Sequence, residues 1–290
     1  MPAPENFVSK LISREQTTLS FEFFPPKTPE ARHSLEIAFD ELLVHSPDFV
    51  SVTYGAMGSN QETSLEVVES LASRVPTIAH LTCIGSKRRQ IVSLLQRYES
   101  AGVAGLLALR GDLPAGVDEM PESEFTYAIE LLELAKQSSS LQLGVSAFPE
   151  KHPDSPSLEF DVEILKRKAD LGATFAMTQL FFDNQAYERL RDRAIRAGVE
   201  IPIVAGVMPI ANSKQVLRMA QMSGAALPNE LVKALDEANT EEDARKIGMD
   251  FTAAQVESLV AAQAPGVHIF TLNHHGPTNE LIAATSLASR

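Results

Sequence analysis

The sequence has a single cysteine, Cys83, and no tryptophan among its 290 residues. One cysteine cannot form a disulfide within the chain, and this usage is typical of a reducing compartment. No apolar run approaches the roughly 20 residues that cross a bilayer, and the first residues lack the apolar core of a signal peptide. These absences lead us to expect a soluble, cytoplasmic protein.

Positive charge is also scarce, because 25 Lys and Arg face 38 Asp and Glu, for a formal net charge of −13. This balance argues against a nucleic-acid partner, which needs a basic field, although an anionic small molecule needs only a local basic patch. The sequence lacks a Gly-x-Gly-x-x-Gly motif after a strand, a P-loop and a Gly-x-Ser-x-Gly elbow. His80, His152 and His268 stand at spacings unrelated to any metal motif, so we expect no metal site.

Strand and helix patterns alternate through the chain in eight units. The predicted strand Val103–Leu109 is nearly free of polar residues, which is typical of parallel strands covered on both faces. Residues 226–263 add two helical stretches before the eighth strand. The pattern predicts a (β/α)8 TIM barrel in one domain over residues 1–290, with residues 1–16 as an N-terminal helix or arm. A doubly wound open sheet is the alternative, but such sheets less often have eight regular units.

The stretch Ser20–Lys27 is the centre of the functional interpretation. Phe21 and Phe23 alternate with Glu22, so Glu22 lies on the opposite face of the first strand, which Pro25 and Pro26 end abruptly. The strand pattern predicts apolar surroundings for this carboxyl group. Burial without a cationic partner raises the pKa of a carboxyl group, which suits a general acid. A structural ion pair is the alternative role for this glutamate.

Further polar residues are predicted at the C-terminal ends of the strands, where barrels of this class have their active sites. The set comprises Glu22, Thr53, His80, Thr82, Arg110, Asp112, Ser146, His152, Gln179 and Asn273. The basic run Lys166–Lys168 suits phosphate binding or a solvated helix face. We interpret Cys83 as a wall residue rather than a nucleophile. The combination fits a large anionic cofactor at this end of the barrel.

Eight motifs in order along the chain resemble the methylenetetrahydrofolate reductase family. They are SFEFFPPK at 20–27, FVSVTYGA at 49–56, HLTCI at 80–84, LRGDLP at 109–114, PEKHP at 149–153, LKRK at 165–168, TQLFFD at 178–183 and TLN at 271–273. The length is similar to that of the bacterial form, which consists of the catalytic domain only.

The resemblance implies reduction of 5,10-methylenetetrahydrofolate to 5-methyltetrahydrofolate, which feeds one-carbon units to methionine synthesis. NADH or NADPH reduces bound FAD and leaves, and the folate then takes its place in a ping-pong sequence. Glu22 matches the acid that protonates folate nitrogen N10, so that hydride from flavin N5 can reduce the resulting cation. Asp112 matches the aspartate near flavin and pterin. Gln179 matches a residue that hydrogen-bonds folate and nicotinamide, and Thr53 matches a further residue that contacts the substrate.

The same resemblance implies a set of FAD contacts and three departures from the bacterial pattern. The contacts are Thr53, Tyr54, Ala56, His80, Arg110, Gly111, Asp112, Ala128, Phe148, His152, Asp161 and Lys168. The departures are Ser213 in place of an aromatic residue that stacks on NADH and folate, Phe148 in place of Tyr, and His274 in place of a folate-contacting Arg. We therefore expect small-molecule substrates and, as family members are commonly oligomers, a homo-oligomer.

Two other functions are compatible with these motifs. One is a flavin-independent reductase of methylene-tetrahydropterins, and the other is a non-catalytic folate- or flavin-binding protein. The retained FAD-contact set argues against the first. The joint presence of Glu22, Asp112 and Gln179 argues against the second, because a protein that only binds needs no acid.

Overall fold

Eight parallel strands close into a barrel in the computed structural model, which describes residues 7–13, 16–54, 61–112 and 122–289. The strands are β1 (Thr18–Phe23), β2 (Phe49–Val52), β3 (Thr77–Thr82), β4 (Gly105–Leu109), β5 (Gln142–Ala147), β6 (Phe175–Thr178), β7 (Ile203–Val207) and β8 (Gly266–Phe270). They pair in chain order, and β8 closes the barrel on β1. The predicted (β/α)8 fold is confirmed.

Helices follow the strands and cover the outside of the barrel. They are α1 (Phe7–Ser13), α2 (Pro29–Leu43), α3 (Gln61–Ala72), α4 (Arg88–Ser100), α5 (Ala128–Ser138), α6 (Leu158–Asp170), α7 (Asn184–Arg196), α8 (Ser213–Ser223), α9 (Asn229–Asp236), α10 (Glu241–Ala261) and α11 (His275–Ala283). Helices α9 and α10 are the two predicted extra helices before β8. Among the described residues, no helix has the length and apolarity needed to cross a membrane.

The alternation along β1 separates the outer core from the barrel interior. Phe21 and Phe23 are fully buried in the main hydrophobic cluster, and the Phe23 ring packs edge-on against Phe39 of α2 with 5.7 Å between centroids. Ser20 and Glu22 face the opposite side, as side chains of a strand must. The predicted orientation of Glu22 is therefore confirmed.

Helix α1 closes the N-terminal end of the barrel. Its Phe7 ring lies 5.0 Å from Phe49 at the start of β2 and 5.3 Å from Phe175 at the start of β6, measured between centroids. Val8 and Leu11 are buried in the same small cluster. With this end filled by apolar side chains, the polar interior can open only at the C-terminal ends of the strands.

Several predicted bounds were wrong. Strand β4 begins at Gly105 rather than at Val103. The sequence pattern also predicts the eighth strand over residues 267–272 and the last helix over residues 278–288, and both differ in the structure. Strand β8 ends at Phe270 rather than Leu272, because Leu272 and Asn273 adopt the left-handed backbone conformation with φ of 51° and 58°. The last helix covers His275–Ala283 rather than residues 278–288, and a short 3-10 helix follows at Ser286–Ser289.

Candidate active site

Glu22 lies in a polar layer of the barrel interior. Its Oε2 atom is 3.7 Å from Nε2 of His80 and 3.8 Å from Nε2 of His268. His268 is fully buried and is held by the hydroxyl groups of Ser20, 2.8 Å from Nδ1, and Ser51, 3.1 Å from Nε2. The surroundings of the acid are therefore polar and not apolar as we expected from the strand pattern.

His80 is a neutral neighbour of Glu22. Burial lowers the pKa of the His80 imidazole to about 4, although the Glu22 carboxylate opposes this effect. Its Nε2 atom is buried and has no hydrogen-bond partner within the described part of the chain. At neutral pH His80 consequently offers Glu22 an uncharged imidazole and not a cation.

A cavity of about 670 Å³ opens above Glu22 at the C-terminal ends of the strands, and we call it the acid cavity. The predicted site residues that line it are Glu22, Thr53, Tyr54, His80, Thr82, Arg110, Gly111, Asp112, Ser146, Phe148, His152 and Gln179. Burial raises the pKa of the Tyr54 hydroxyl to about 12, so this group remains a protonated hydrogen-bond donor.

A second cavity of about 730 Å³ adjoins the first, and we call it the outer cavity. The two share Arg110, Ser146, Phe148, His152 and Asp154. The outer cavity extends to Ala128 at the start of α5 and along α6, from Asp161 in its first turn to Lys168 in its last turn. Together the two cavities provide a long cleft with the acid at one end.

Lys168 is the most unusual side chain of the outer cavity. It is only 8% exposed, and its ammonium group forms no hydrogen bond or ion pair with any described residue. Burial lowers its pKa, against the longer-range attraction of Asp161. The Asp161 carboxylate already accepts bonds from the His152 main-chain N–H, at 2.8 Å, and from the Ser155 hydroxyl. A buried cation without a partner is suited to an anionic ligand.

The turn after β4 carries Arg110 and Asp112 and depends on Gly111. Gly111 has φ of 87°, and a Cβ atom there would lie 2.8 Å from Cβ of Thr82 and 2.9 Å from Cγ2 of Ile84. Arg110 extends to the boundary of the two cavities, where its Nη1 atom is 3.1 Å from Oδ2 of Asp154. Only glycine fits this close turn, which fixes the position of both neighbours.

Every residue of the predicted catalytic, substrate-binding and cofactor-binding sets that the structure describes lines one of the two cavities, and Ala56 lies outside the described residues. Asn273, which we also expected at the C-terminal ends of the strands, is not among the described residues that line either cavity. The roles assigned to these residues remain predictions. Cys83 is fully buried, and burial raises the pKa of its thiol to about 11, as suits a wall residue. Among the described residues, no group of three or more His, Cys, Asp or Glu is arranged to hold a metal ion.

Of the three departures from the bacterial pattern, Phe148 lies in the wall that the two cavities share, whereas Ser213 and His274 are not among the described residues that line either cavity. Ser213 begins α8, whereas Met222, at the other end of α8, lines the acid cavity. His274 is exposed immediately before α11.

Sequence reasoning missed three residues of this region. His268 lies 3.8 Å from Glu22, and its inward position on β8 could have been found from the period-two alternation. Tyr127 and Phe160 are exposed aromatic residues that line the outer cavity. No sequence pattern distinguished them, because each lies at the start of a helix, where an aromatic residue does not indicate a binding site.

Comparison with known proteins gave the following similarities. A family model described as methylenetetrahydrofolate reductase matches residues 8–286. The chain is 36% identical over 261 residues to the 5,10-methylenetetrahydrofolate reductase of Salmonella typhimurium, covering 89% of this chain and 87% of that protein. It is 35% identical to methylenetetrahydrofolate reductase (NADH) 1 of Zea mays, covering 89% of this chain and 46% of the plant protein.

A solved structure has a similar fold. This protein of Clostridium thermocellum, described as binding two copies of 5-methyl-5,6,7,8-tetrahydrofolic acid, superposes with a TM-score of 0.66 at 13% identity. The superposition covers 97% of both chains. At this identity the similarity supports the barrel fold alone.

Proposed function

The chain belongs to the methylenetetrahydrofolate reductase family, and from this membership we propose FAD-dependent reduction of 5,10-methylenetetrahydrofolate to 5-methyltetrahydrofolate by NADH or NADPH. The observation that carries the cofactor assignment is the cleft of two adjoining cavities. Glu22 lines one of them, and the other contains Lys168, whose ammonium group has no hydrogen bond or ion pair with a described residue. NADH in the name of the maize relative favours NADH as reductant.

The lining residues fit a flavin dinucleotide. Lys168 and Arg110 are the cations that would hold the two phosphates, and His152 lines the wall that the two cavities share. Arginine and lysine are the usual phosphate ligands in proteins. When bound, FAD accepts a hydride from the nicotinamide and supplies it to the folate.

Glu22 supplies the proton that this reaction requires. Protonation of nitrogen N10 by the Glu22 carboxyl group lets the bond between N10 and the methylene carbon break, and its electron pair stays on N10. The methylene carbon is then part of a cation on N5, and hydride addition converts it into the methyl group. His80 remains neutral beside Glu22 because of its lowered pKa, so it does not add a fixed positive charge next to the developing cation.

Other residues of the acid cavity position the substrate. The Oε1 atom of Gln179 accepts the Leu180 main-chain N–H at 2.8 Å, which leaves its NH₂ group to donate to a substrate acceptor. Asp112 is exposed in the same cavity, where a carboxylate favours the cation formed from the folate. Thr53 supplies a hydroxyl group from the end of β2.

The proposal is tested by separating the two half-reactions in Glu22→Gln. We expect NADH to bleach the flavin of this variant at close to the wild-type rate, and methylenetetrahydrofolate to fail to restore the flavin colour. Glu150→Gln is the matched control, because Glu150 is a half-buried carboxyl group that lies between Phe148 and His152 in the sequence and lines neither cavity. Loss of both half-reactions at normal FAD content, or an intact folate half-reaction, would contradict the role of Glu22.

A further inference from the structure

The main-chain ladder between β1 and β8 stops immediately after Glu22. The last paired residues are Glu22 and Phe270. On one side Pro25 and Pro26 lack the N–H groups that a ladder needs, and on the other Leu272 and Asn273 turn away with positive φ. The two chain segments that leave the barrel beside the acid therefore cannot be joined by regular sheet hydrogen bonds.

Side chains of Thr271 and Asn273 replace the missing ladder. The Thr271 hydroxyl donates to the main-chain oxygen of Glu22 at 2.6 Å. The Asn273 amide accepts the Phe24 N–H at 3.1 Å and donates to the Phe24 oxygen at 2.9 Å. The Asn273 N–H in turn donates to the Thr271 hydroxyl at 3.1 Å. Both side chains are buried, at 4% and 8% exposure, so these bonds do not compete with water.

The Glu22 carboxyl group has no such support of its own. It forms no hydrogen bond with a described residue, and the two imidazole nitrogens beside it are 3.7 and 3.8 Å away. The direction of this side chain therefore depends on the main chain from Glu22 to Phe24. Thr271 and Asn273 fix that main chain, yet neither is among the described residues that line the acid cavity.

The backbone conformation of Leu272 also supports a positioning role for its two neighbours. Leu272 has φ of 51°, a conformation that is unfavourable for a residue other than glycine and persists only where the surroundings impose it. The conformation lets both Thr271 and Asn273 reach the β1 segment.

We propose that Thr271 and Asn273 form a clamp that aims the Glu22 carboxyl group at folate nitrogen N10. They are positioning residues and do not touch the substrate. This inference rests on the proposed function, because it assigns Glu22 the role of acid. It assigns the clamp a part in the folate half-reaction only, since flavin reduction by NADH does not use the Glu22 proton.

The test compares both half-reactions in Asn273→Gly and Thr271→Val of the FAD-loaded enzyme. Glycine retains the positive φ of residue 273 while removing the side-chain amide. Valine replaces the Thr271 hydroxyl by a methyl group, which removes both its bond to the Glu22 oxygen and the acceptor of the Asn273 N–H. We expect the folate half-reaction to slow at least about tenfold in each variant, because small misplacements of a catalytic group are costly, while flavin reduction by NADH changes less than about twofold. Thr271→Ser retains the donor and is expected to restore the folate half-reaction.

Asn279→Ala is the matched control, because Asn279 is also held in a long-range side-chain bond, 2.8 Å from Nε2 of His45. We expect both of its half-reactions to be intact. Equal slowing of both half-reactions in the clamp variants, or no slowing of either, would overturn the clamp. A wild-type enzyme whose flavin is not reduced by NADH and reoxidised by methylenetetrahydrofolate would instead overturn the proposed function itself.

Discussion

Replacing Lys168 by methionine should change protein stability and cofactor affinity in opposite directions. The lysine is 8% exposed and its ammonium group has no hydrogen bond or ion pair with the described residues. Its lowered pKa reflects the cost of burying the charge. Methionine has a similar length and no charge, so Lys168→Met removes this cost from the flavin-free protein.

The structure sets the size of both effects. Removal of a buried charge that is opposed only by the longer-range attraction of Asp161 is expected to add about 0.5–2 kcal/mol to the free energy of unfolding. For a chain of 290 residues, that corresponds to a Tm increase of about 1–3 °C. Loss of a charged hydrogen bond to a phosphate, about 1.5–3 kcal/mol, should weaken FAD binding about 10- to 150-fold.

Thermal unfolding of the flavin-free protein and quenching of FAD fluorescence on binding measure the two effects. Lys166→Met is the matched control on the same helix, because Lys166 is 33% exposed in its side chain and pairs with Asp170 outside the cleft. We expect that variant to bind FAD normally. The assignment of Lys168 to the cofactor phosphates is refuted if Lys168→Met binds FAD as tightly as the wild type.

Two further predictions concern the walls of the acid cavity. Burial lowers the pKa of His80 to about 4, whereas a histidine in an unfolded chain has a pKa near 6.5. Between these two pH values the unfolded chain therefore binds a proton that the folded protein does not. The free energy of unfolding consequently falls as the pH drops from about 6.5 to about 4. The free energy of unfolding, measured with urea, should therefore fall by up to about 3 kcal/mol less in His80→Gln than in the wild type between pH 7 and pH 4. An equal fall in the two proteins would contradict this prediction. Gly111→Ala should destabilise the protein by about 2–4 kcal/mol, because the new Cβ atom is both strained and crowded. Gly102→Ala should cost only about 1 kcal/mol, since Gly102 has φ of 75° but open space around it, and equal losses in the two variants would argue against crowding at Gly111.

The barrel could be predicted from the sequence because its strands are buried on both faces and its helices have clear apolar faces. β3 and α2 illustrate this, since residues 77–82 were predicted as they are observed and the start of α2 at Pro29 follows from the proline in its first turn. The end of β8 could not be predicted in the same way. The run through Leu272 has the composition of a strand, and only the long-range bonds of Thr271 and Asn273 to β1 explain why the strand stops.

The residues of the candidate site that belong to a sequence motif could be predicted. Those that approach each other only through the pairing of distant strands could not. Glu22, Arg110 and Lys168 belong to recognisable motifs, and all three line the cleft. The polar layer around Glu22 was not expected, because the pairing of Ser20 with His268 is a matter of strand register across the closed barrel. A local pattern contains no information on that register.

The visible absorption spectrum of the FAD-loaded protein tests the central claim most directly. The measurement follows the flavin band under anaerobic conditions during addition of NADH and then of methylenetetrahydrofolate. The proposed function predicts that the band bleaches with NADH and returns with the folate. A protein that takes up no FAD, yet oxidises NADH in the presence of the folate, would be a flavin-independent reductase. A protein that binds FAD or folate without either colour change would be a binding protein, and either result would contradict the account given for Glu22 and Lys168.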